Sequence, residues 1–358
     1  MRQIPVLILG AGGVGQALLQ QIVNGRQRTA DRVNCHFNVL AVADSGRCLL
    51  SFNGLSDADL LTIVRDKRAG RPLHPDAEPR PSDLDLVETL AAAGVENALV
   101  VDVTAAAGME PAIDRALALG YGVVLANKKP LAGPWATAQP YFNHPRLRHE
   151  STVGGGQPVI ATLRYLLDVN DPIALISGQL SGSLGYICGR LDAGARFSQA
   201  IAEAKAHGYT EPDPRDDLGG QDVMRKILIL GRMAGWPLSE VDLSVEPLYP
   251  ASLAELPLAA FMAATPELDA AMDARVRAAH DRGQVLRYVA QVSQGRGTVS
   301  LQALPAGDPL ANMKSISFRT AHYHDEPLVI GGKGAGVEMT AAGVLGDMVG
   351  LVREGRGG

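Results

Sequence analysis

The sequence predicts an α/β protein that combines a doubly wound, mostly parallel sheet with a second domain of α+β type. A continuous apolar run at residues 4–9 leads directly into a glycine-rich turn and then into a helical pattern at residues 16–23. Apolar strands and helical segments alternate from there to about residue 126, as in a Rossmann-type nucleotide-binding fold. Paired strand patterns at residues 284–292 and 298–304 indicate a different sheet in the second half.

The domain boundaries follow from this change of pattern. We expect residues 1–150 to form a dinucleotide-binding domain, completed by the C-terminal segment 312–358, and residues 151–311 to form a substrate-binding, catalytic and dimerisation domain. A second glycine-rich turn at residues 331–336 opens the final helix, and we expect it to return the chain to the first domain and close it over the cofactor. A chain of 358 residues is long enough for two such cores.

Composition and charge narrow the class of protein. Hydrophobic residues make up 46% and charged residues 20% of the chain, as in an ordinary soluble globular protein. The net charge of −5 gives no electrostatic reason to expect nucleic acid or an anionic membrane as a partner, and no apolar run approaches the roughly 20 residues of a membrane helix. Cys35, Cys48 and Cys188 are widely spaced, and no signal peptide precedes the first strand, so we expect reduced thiols in a cytoplasmic protein.

The first glycine-rich turn has the spacing G-x-G-x-x-G between a strand and a helix. Gly10 permits the tight turn, Gly12 lets the backbone approach a pyrophosphate, and Gly15 allows the helix to pack closely on the strand. The N-terminus of the helix would face the phosphates. The candidate cofactor-binding residues of this turn are Gly10, Ala11, Gly12, Gly13, Val14 and Gly15.

Two further candidates for cofactor binding stand at the ends of strands. The strand at residues 37–43 ends at Asp44, whose carboxylate would bind the ribose hydroxyls and favour NAD, although residues 24–34 make the preceding connection longer than usual. Arg47 would instead receive the 2′-phosphate of NADP, so the preference between the two cofactors stays open. Thr104 follows a later apolar strand, at the edge where open α/β sheets bind ligands.

The remaining elements are assigned from the same patterns. Helices are predicted at residues 82–93, 111–120, 158–168, 197–205, 253–262 and 268–281, and strands at residues 121–126, 173–180, 313–319 and 327–330. Residues 56–81 are predicted as a helix followed by an exposed loop.

The most charged stretch, residues 208–226, places five carboxylates within a dozen residues. Two prolines exclude a helix in its first half, and the pattern becomes helical from about Gln221. Asp222 and Lys226 are four residues apart, so they share one face of that helix and direct an ammonium into a group of acids. The alternative interpretation is a solvated, salt-bridged helix start.

This stretch resembles a known family. The run GYTEPDPRDDL from Gly208, followed by G-x-D-x-x-x-K up to Lys226, is similar to the signature of homoserine dehydrogenases. Asn-Lys-Lys-Pro at residues 127–130, Glu-x-Thr-Val-Gly from Glu150 and the closing glycine loop follow the same family pattern, so the resemblance covers nearly the whole chain. It implies a short, monofunctional enzyme, without a regulatory domain or fused kinase, that forms a homodimer. The implied reaction is the reduction of L-aspartate 4-semialdehyde to L-homoserine by NADPH or NADH, on the route to threonine, methionine and isoleucine.

The resemblance and the chemistry together suggest roles. Hydride transfer to the aldehyde leaves an oxyanion, and we expect Lys226 to stabilise and protonate it, assisted by Lys128, which in the family lies between nicotinamide and substrate. Glu211 and Asp222 would hold the substrate amino group or a water, and Asp217 would tune the charge of the lysine. The full set of substrate-binding candidates is Glu211, Asp222, Asp217, Gly208 and Ser183, and Gly336 matches a cofactor-contacting position.

The glycine-rich loop that begins at Glu150 suggests a structural cation. Some members of the family hold a sodium ion through the glutamate and main-chain carbonyls of this loop, and the corresponding ligands here would be Glu150, Val153, Gly155 and Gln157. Oxygen donors of this kind suit a hard cation. A plain interdomain salt bridge of Glu150 is the alternative.

Two other functions stay open. Ser183 keeps a hydroxyl where the family usually has threonine, but Gly185 lacks the asparagine or serine side chain that is usual nearby, which leaves room for a dehydrogenase of another small amino acid or semialdehyde. A catalytically inactive cofactor-binding protein would be expected to lack the lysines and carboxylates that are present here.

Overall fold

The first glycine-rich turn lies at the middle of a seven-stranded sheet in the computed structural model, which describes residues 1–355. The chain divides into two units, Met1–Ile160 with the chain from Ala335 onward, and Ala161–Gly334. The first unit contains the seven-stranded sheet and the second contains a six-stranded sheet. The predicted α/β fold, with a parallel-stranded nucleotide-binding sheet and a second sheet, is thereby confirmed.

In the first unit, strands and helices alternate along the chain. The strands are β1 (Arg2–Leu9), β2 (Cys35–Ala43), β3 (Arg47–Leu50), β4 (Glu78–Pro79), β5 (Leu99–Asp102), β6 (Gly122–Leu125) and β7 (Leu147–Arg148). The helices are α1 (Gly13–Val33), α2 (Asp57–Arg68), α3 (Asp83–Ala92), α4 (Glu110–Ala118), α5 (Lys129–Ala132) and α6 (Trp135–Phe142), followed by a 3₁₀ turn at Glu150–Thr152.

The second unit follows α7 (Val159–Asp168), which crosses the boundary between the units. Its strands are β8 (Ile173–Gly178), β9 (Leu243–Val245), β10 (Gln284–Ser293), β11 (Arg296–Pro305), β12 (Ser315–Thr320) and β13 (Leu328–Gly331). Its helices are α8 (Gly182–Asp192), α9 (Phe197–Ala206), α10 (Arg215–Leu218), α11 (Gln221–Met233), α12 (Leu258–Ala264), α13 (Asp269–His280) and α14 (Pro309–Asn312), with 3₁₀ turns at Glu240–Asp242, Ala251–Leu253 and Thr265–Leu268. The last helix, α15 (Val337–Glu354), belongs to the first unit.

The strand order of the first sheet creates a crevice beside β1. The order is β4-β3-β2-β1-β5-β6-β7, and β2, β1, β5, β6 and β7 run parallel, whereas β3 and β4 are antiparallel additions at one edge. The chain leaves β1 towards β2 on one side and reaches β5 on the other, so the strand order reverses at β1. Ligands of open α/β sheets bind at such a switch point, outside the carboxyl ends of the strands.

Helix α1 is longer than the sequence predicts. It continues from Gly13 to Val33, through residues that were expected to form a long connection. Asn24 and Gly25 are weak helix formers, but tertiary contacts override their propensity. The guanidinium of Arg26 donates to the carbonyl of Phe37 at 3.0 Å and pairs with Asp57, and Asn34 ends the helix in a left-handed conformation.

The C-terminal helix completes the core of the first unit. Val344 and Met348 of α15 are fully buried in the same apolar cluster as Val6 and Ile8 of β1. Burial of this apolar face keeps the last helix with the first sheet, since an exposed stripe of this kind would be costly in water.

The boundary between the units differs from the one expected at residues 150 and 312. Residues 312–334 lie in the second unit because β12 pairs antiparallel with β8 and β13 continues the same sheet. Residues 151–160 stay with the first unit, where the hydroxyl of Ser151 donates to the carbonyl of Thr340 at 2.7 Å. The pairing of strands distant in sequence, which sequence periodicity does not reveal, sets this boundary. The second sheet has the order β13-β12-β8-β10-β11-β9.

Among residues 1–355, none of the helices combines the length and the apolar composition that a membrane crossing requires.

Candidate active site

Three of the four glycines in the first turn, those of the G-x-G-x-x-G pattern, differ in what surrounds them. Gly10 has a φ of +111°, and a Cβ atom there would lie 3.0 Å from the carbonyl of Val103. At Gly15, a Cβ atom would overlap the carbonyl oxygen of Gly10, because the helix backbone packs directly against the turn. At Gly12 a Cβ atom would meet nothing within 4 Å. Gly12 therefore faces open space, as expected of the position that a pyrophosphate approaches.

The N-terminus of α1 is suited to an anion. The first helical hydrogen bond runs from the amide of Gln16 to the carbonyl of Gly12, so the preceding amides have no partner within the helix. Neither a side-chain cap nor an acidic residue occupies the first turn. Val337, which follows Gly336 at the start of α15, lies 2.9 Å from the Cβ position of Gly13. The start of α15 is thus next to the first glycine turn, and the partial positive charge of the α1 helix end is available to a phosphate.

A buried acid organises the carboxyl ends of β5 and β6. Asp102 is 1% exposed, and its carboxylate accepts hydrogen bonds from the amide and hydroxyl of Thr104 at 2.9 and 2.7 Å and from the side-chain amide of Asn127 at 2.9 Å. Burial raises the pKa of Asp102, and the hydrogen bonds only partly oppose that shift. Asn127 accepts in turn from the amide of Lys129. The network fixes Thr104 and the half-buried Lys128 at one edge of the sheet.

Asp44 lies at the end of β2, but its carboxylate is engaged. Oδ1 accepts from the amides of Gly46 and Arg47 at 2.9 and 2.8 Å, and Oδ2 pairs with the ammonium of Lys67 at 2.7 Å. Burial opposes ionisation of Asp44, but the contact with Lys67 and the two amides outweigh it and lower the pKa. Sequence reasoning did not identify Lys67, which lies 23 residues further along the chain.

The Glu150 loop is tied into the first unit by its backbone and its carboxylate. The amide of Glu150 donates to Asp347 at 2.7 Å, and its Oε1 accepts from the amide of Ile160 at 2.7 Å, which caps α7. Gly154 and Gly155 both have positive φ, at 75° and 63°, and so reverse the direction of the chain. Val153, Gly155 and Gln157 share this loop with Glu150. Among residues 1–355, no group of three or more His, Cys, Asp or Glu side chains is arranged so that it could hold a metal ion.

In the second unit, Lys226 has two polar contacts on the first turns of α11. Its ammonium donates to the carbonyl of Leu180 at 2.8 Å and pairs with Asp222 at 2.6 Å. The lysine side chain is 18% exposed, whereas that of Asp222 is 49% exposed. The pairing of these two residues, which their spacing predicts, is therefore present in the structure. The geometry leaves a largely enclosed ammonium beside an accessible carboxylate.

Asp217 and Ser183 contact each other directly. The Ser183 hydroxyl lies 2.6 Å from Asp217 Oδ1 and 2.8 Å from the carbonyl of Tyr209, and Asp217 Oδ2 accepts from the amide of Glu211 at 2.8 Å. Burial raises the pKa of Asp217, and the charge of Asp222 adds to the shift. These bonds hold the acidic stretch on α8, after Gly208 has reversed the chain with a φ of +66°.

Arg215 explains why the acidic stretch has a fixed shape. Its guanidinium binds the Asp213 carboxylate and donates to the carbonyls of Ala254 and Leu256 at 2.6 Å each. It also lies 5.1 Å from the centre of the Phe261 ring. An open cleft of about 700 Å³ adjoins the stretch, and the exposed Glu211 lines it together with Asp217, Asp222 and Arg225. Sequence reasoning named Asn127 only as part of the Asn-Lys-Lys-Pro motif and did not single out Arg215 or Asp102. The bonds that show their roles join Asn127 to Asp102, and Arg215 to Ala254 and Leu256, across long stretches of sequence.

A dinucleotide cradle on a doubly wound sheet, together with a lysine flanked by acids, defines the class of NAD(P)-dependent dehydrogenases. Comparison with known proteins narrows this class. A family model for the homoserine dehydrogenase NAD-binding domain matches residues 10–140, and the homoserine dehydrogenase model matches residues 158–349. The chain therefore belongs to the homoserine dehydrogenase family, as its motifs suggested.

Individual relatives agree with this assignment. A bifunctional aspartokinase/homoserine dehydrogenase of Haemophilus influenzae is 37% identical over 97% of this chain and 42% of its own length. The chain thus spans about two fifths of the length of the bifunctional relatives it matches. A homoserine dehydrogenase of Schizosaccharomyces pombe is 33% identical over 99% of this chain and 96% of its own length. A hyperthermophilic archaeal homoserine dehydrogenase, solved in complex with NADPH, superposes with a TM-score of 0.75 at 26% identity, covering 98% of both chains.

Substitutions at two glycines separate folding from ligand binding. We expect Gly15→Ala to lower the free energy of unfolding by about 1–3 kcal/mol, because the new methyl group overlaps backbone that cannot move away. Gly12→Ala adds its methyl group to open space, so stability should change by less than about 0.5 kcal/mol while cofactor affinity falls at least about tenfold. Urea unfolding and fluorescence titration with NADPH measure the two quantities. Equal stability of the two variants would contradict this interpretation of the turn.

Proposed function

We propose that this chain catalyses the reversible, NAD(P)-dependent conversion of L-aspartate 4-semialdehyde into L-homoserine. The observation that carries the proposal is the position of Lys226, which is paired with Asp222 and directed to the Leu180 carbonyl within the stretch that resembles the family signature. The family assignment supports the same reaction. The threonine, methionine and isoleucine routes that use homoserine are part of this proposal.

A bound nicotinamide would supply a hydride to the aldehyde carbon, so that the π electron pair of the C=O bond would move to the oxygen and leave it negatively charged. Lys226 stabilises that oxyanion and transfers a proton from Nζ to it, so that the alcohol forms. Asp222, at 2.6 Å, holds the ammonium in place before the transfer and compensates its charge. We assign Lys128 an assisting role in orienting the substrate, because the Asp102 network fixes its backbone.

The acids divide into two roles. Glu211 and Asp222 are accessible, so we assign them to the substrate amino group. Asp217 and Ser183 contact each other and the backbone, so we assign them to holding the acidic stretch, with Ser183 next to the bound amino acid. Gly208 provides the turn before the stretch. A dehydrogenase of another small amino acid would share these features, and a panel of amino alcohols distinguishes it.

Lys226→Ala should lower kcat for L-homoserine oxidation by about 10²–10⁴-fold, because general acid–base catalysis contributes on that order. Affinity for the cofactor should stay within about threefold of the unaltered protein, because the glycine turn is in the other unit. Steady-state rates and fluorescence titration measure the two effects, and an unchanged urea midpoint serves as the control for folding. A variant that keeps near-normal turnover would exclude Lys226 as the proton donor.

We further propose that the protein prefers NADP(H). Asp44 is neutralised by Lys67 and two amides, so it is less available to ribose hydroxyls than a free carboxylate would be. Arg47, Arg65 and Arg71 line a cavity of about 430 Å³ near this strand end. Asp66 also lines it and pairs with Arg65 and Arg71, so three guanidinium groups against one carboxylate leave net positive charge for a 2′-phosphate. The archaeal relative was solved with NADPH.

Lys67→Met should weaken NADPH binding by about tenfold, or about 1.4 kcal/mol, because the Asp44 carboxylate would lose its ion pair and repel the 2′-phosphate. The same change frees Asp44 for the ribose hydroxyls, so NADH affinity should rise or stay constant. Dissociation constants for both cofactors measure the ratio. Arg68→Met, on the same helix, is the charge-matched control, and an equal loss for both cofactors in Lys67→Met would count against phosphate recognition.

We also propose a structural sodium ion in the Glu150 loop. A buried carboxylate and main-chain carbonyls are the oxygen donors that a hard cation prefers. Glu150, Val153, Gly155 and Gln157 would hold the ion, which would supply positive charge to a loop that two left-handed glycines have folded back. The hydrogen bond of Glu150 to α7 is compatible with this, since a carboxylate has two oxygens.

Glu150→Gln tests the ion separately from the cap. The glutamine side chain keeps an oxygen for the Ile160 amide but removes the negative charge. In the unaltered protein, the midpoint of thermal unfolding should be a few degrees higher in NaCl than in choline chloride. In Glu150→Gln, the two salts should give the same midpoint. Thermal unfolding at constant ionic strength measures it. A sodium dependence that persists in Glu150→Gln would leave Glu150 as a cap only.

The cellular compartment, the oligomeric state and the kinds of partner complete the proposal. We propose that the protein is a cytoplasmic homodimer with no nucleic-acid or membrane partner. The three cysteines are buried and form no disulfide, which suits a reducing compartment. One side of β10 carries the buried Leu286, Tyr288 and Val292, and the partly exposed Gln291 alternates with them. Arg287, on the same side as Gln291, pairs with Asp192, so the candidate contact with a second copy is limited to the face around Gln291.

A further inference from the structure

Gly185 lacks the side chain that the family pattern usually has at this position, and Lys314 fills the space. Gly185 lies on the second turn of α8, and a Cβ atom there would be 3.0 Å from Cε of Lys314. The stem of Lys314 therefore lies across the space that Gly185 leaves open. Its ammonium donates to the carbonyl of Gly182 at 3.3 Å. A larger residue at position 185 would compete with the lysine for this space.

Lys314 reaches the same short turn as Lys226. β8 ends at Gly178, and the turn from there into α8 presents the Leu180 carbonyl to Lys226 and the Gly182 carbonyl to Lys314. The turn is also tied to the segment that carries Lys314, because the amide of Gln179 donates to the carbonyl of Ser315 at 3.1 Å. Two ammonium groups thus bind carbonyls that are two residues apart.

We propose that Lys314 binds the α-carboxylate of the amino-acid substrate and is a specificity-determining residue, an inference that rests on the proposed function. The acids Glu211 and Asp222 suit the substrate ammonium but would repel its carboxylate, so a zwitterionic substrate needs a cation at its other charged group. Lys226 is already paired with Asp222.

Lys314 has the donors that this role needs. An ammonium has three N–H donors, and within residues 1–355 the hydrogen bond of Lys314 goes to one neutral carbonyl. The side chain is exposed, so the other donors are open to a ligand. A carboxylate at this point would also lie near the N-terminal end of α8, which favours negative charge.

The first test compares substrates with and without the carboxylate. Lys314→Met should raise KM for L-homoserine at least about tenfold with kcat within about threefold, and it should leave kcat/KM for 3-amino-1-propanol unchanged. Lys314→Arg should restore most of the loss. Arg319→Met, an exposed position on β12, is the charge-matched control and should leave both substrates unaffected.

A double-mutant cycle tests the contact with Gly185. Gly185→Ala should raise KM for L-homoserine about two- to fivefold in the unaltered protein, and it should have no effect in the Lys314→Met background. Alanine favours a helix more than glycine does, so the unfolding midpoint should rise even as KM becomes worse. That opposite movement excludes simple destabilisation as the cause.

The possible outcomes separate this inference from the reaction on which it rests. If the unaltered protein fails to oxidise L-homoserine with either cofactor, the proposed function is wrong. If it oxidises L-homoserine and Lys314→Met has an unchanged KM, only the role of Lys314 is wrong. If Lys314→Met lowers kcat/KM equally for L-homoserine and 3-amino-1-propanol, the role of Lys314 is wrong as well. The same holds if Arg225→Met, and not Lys314→Met, selectively lowers kcat/KM for L-homoserine.

Discussion

The bond between Asp217 and Ser183 is the constraint on which the second unit depends. A carboxylate that is largely withdrawn from water needs hydrogen-bond donors, and it finds them in the hydroxyl of α8 and the amide of Glu211. These two bonds place the acidic stretch on the helix that follows the Leu180 turn, where Lys226 binds. Arg215 anchors the middle of the stretch to the carbonyls of Ala254 and Leu256. The partly buried Asp217 thus holds the backbone of the accessible Glu211 in place.

The first unit uses the same device with different residues. Asp102 is buried at the end of β5 and accepts hydrogen bonds from Thr104 and Asn127. Thr104 lies two residues beyond β5, and Asn127 lies two residues beyond the neighbouring parallel strand β6. A buried, hydrogen-bonded acid of this kind converts two strand ends into a single rigid edge. The glycine turn that follows β1 is fixed by the close packing of the Gly15 backbone against the carbonyl of Gly10. Hydrogen bonds from the Gly10 amide to the carbonyl of Ala43 and from the Gln16 side chain to the carbonyl of Ala11 also hold it. Polar satisfaction and backbone packing together shape the cradle.

Local features of the sequence predicted the fold class, the glycine turn and the pairing of Asp222 with Lys226, because each depends on residues that are close along the chain. The predicted end of α1 at residue 23 was wrong. The contact of Arg26 with Phe37 outweighs the weak helix propensity of Asn24 and Gly25, and the helix continues to Val33. Asp44 stays a candidate for binding a ribose, but its ion pair with Lys67 was not predicted, because Lys67 belongs to a helix whose packing no spacing rule reveals. The unit boundary at residue 334 likewise depends on the pairing of β12 with β8.

Gly185 shows how a departure from a family pattern gains meaning only in three dimensions. In the sequence it is a side chain that is missing relative to the family pattern, and by itself it leaves the choice of substrate open. In the structure the stem of Lys314 crosses that position and brings an ammonium to the start of α8. An amino-acid substrate carries one positive and one negative charge, so a site that recognises it needs both acids and a cation that those acids do not neutralise. In the proposed site, the space at Gly185 and the ammonium of Lys314 therefore belong together: the first gives the lysine stem room, and the second supplies the positive charge.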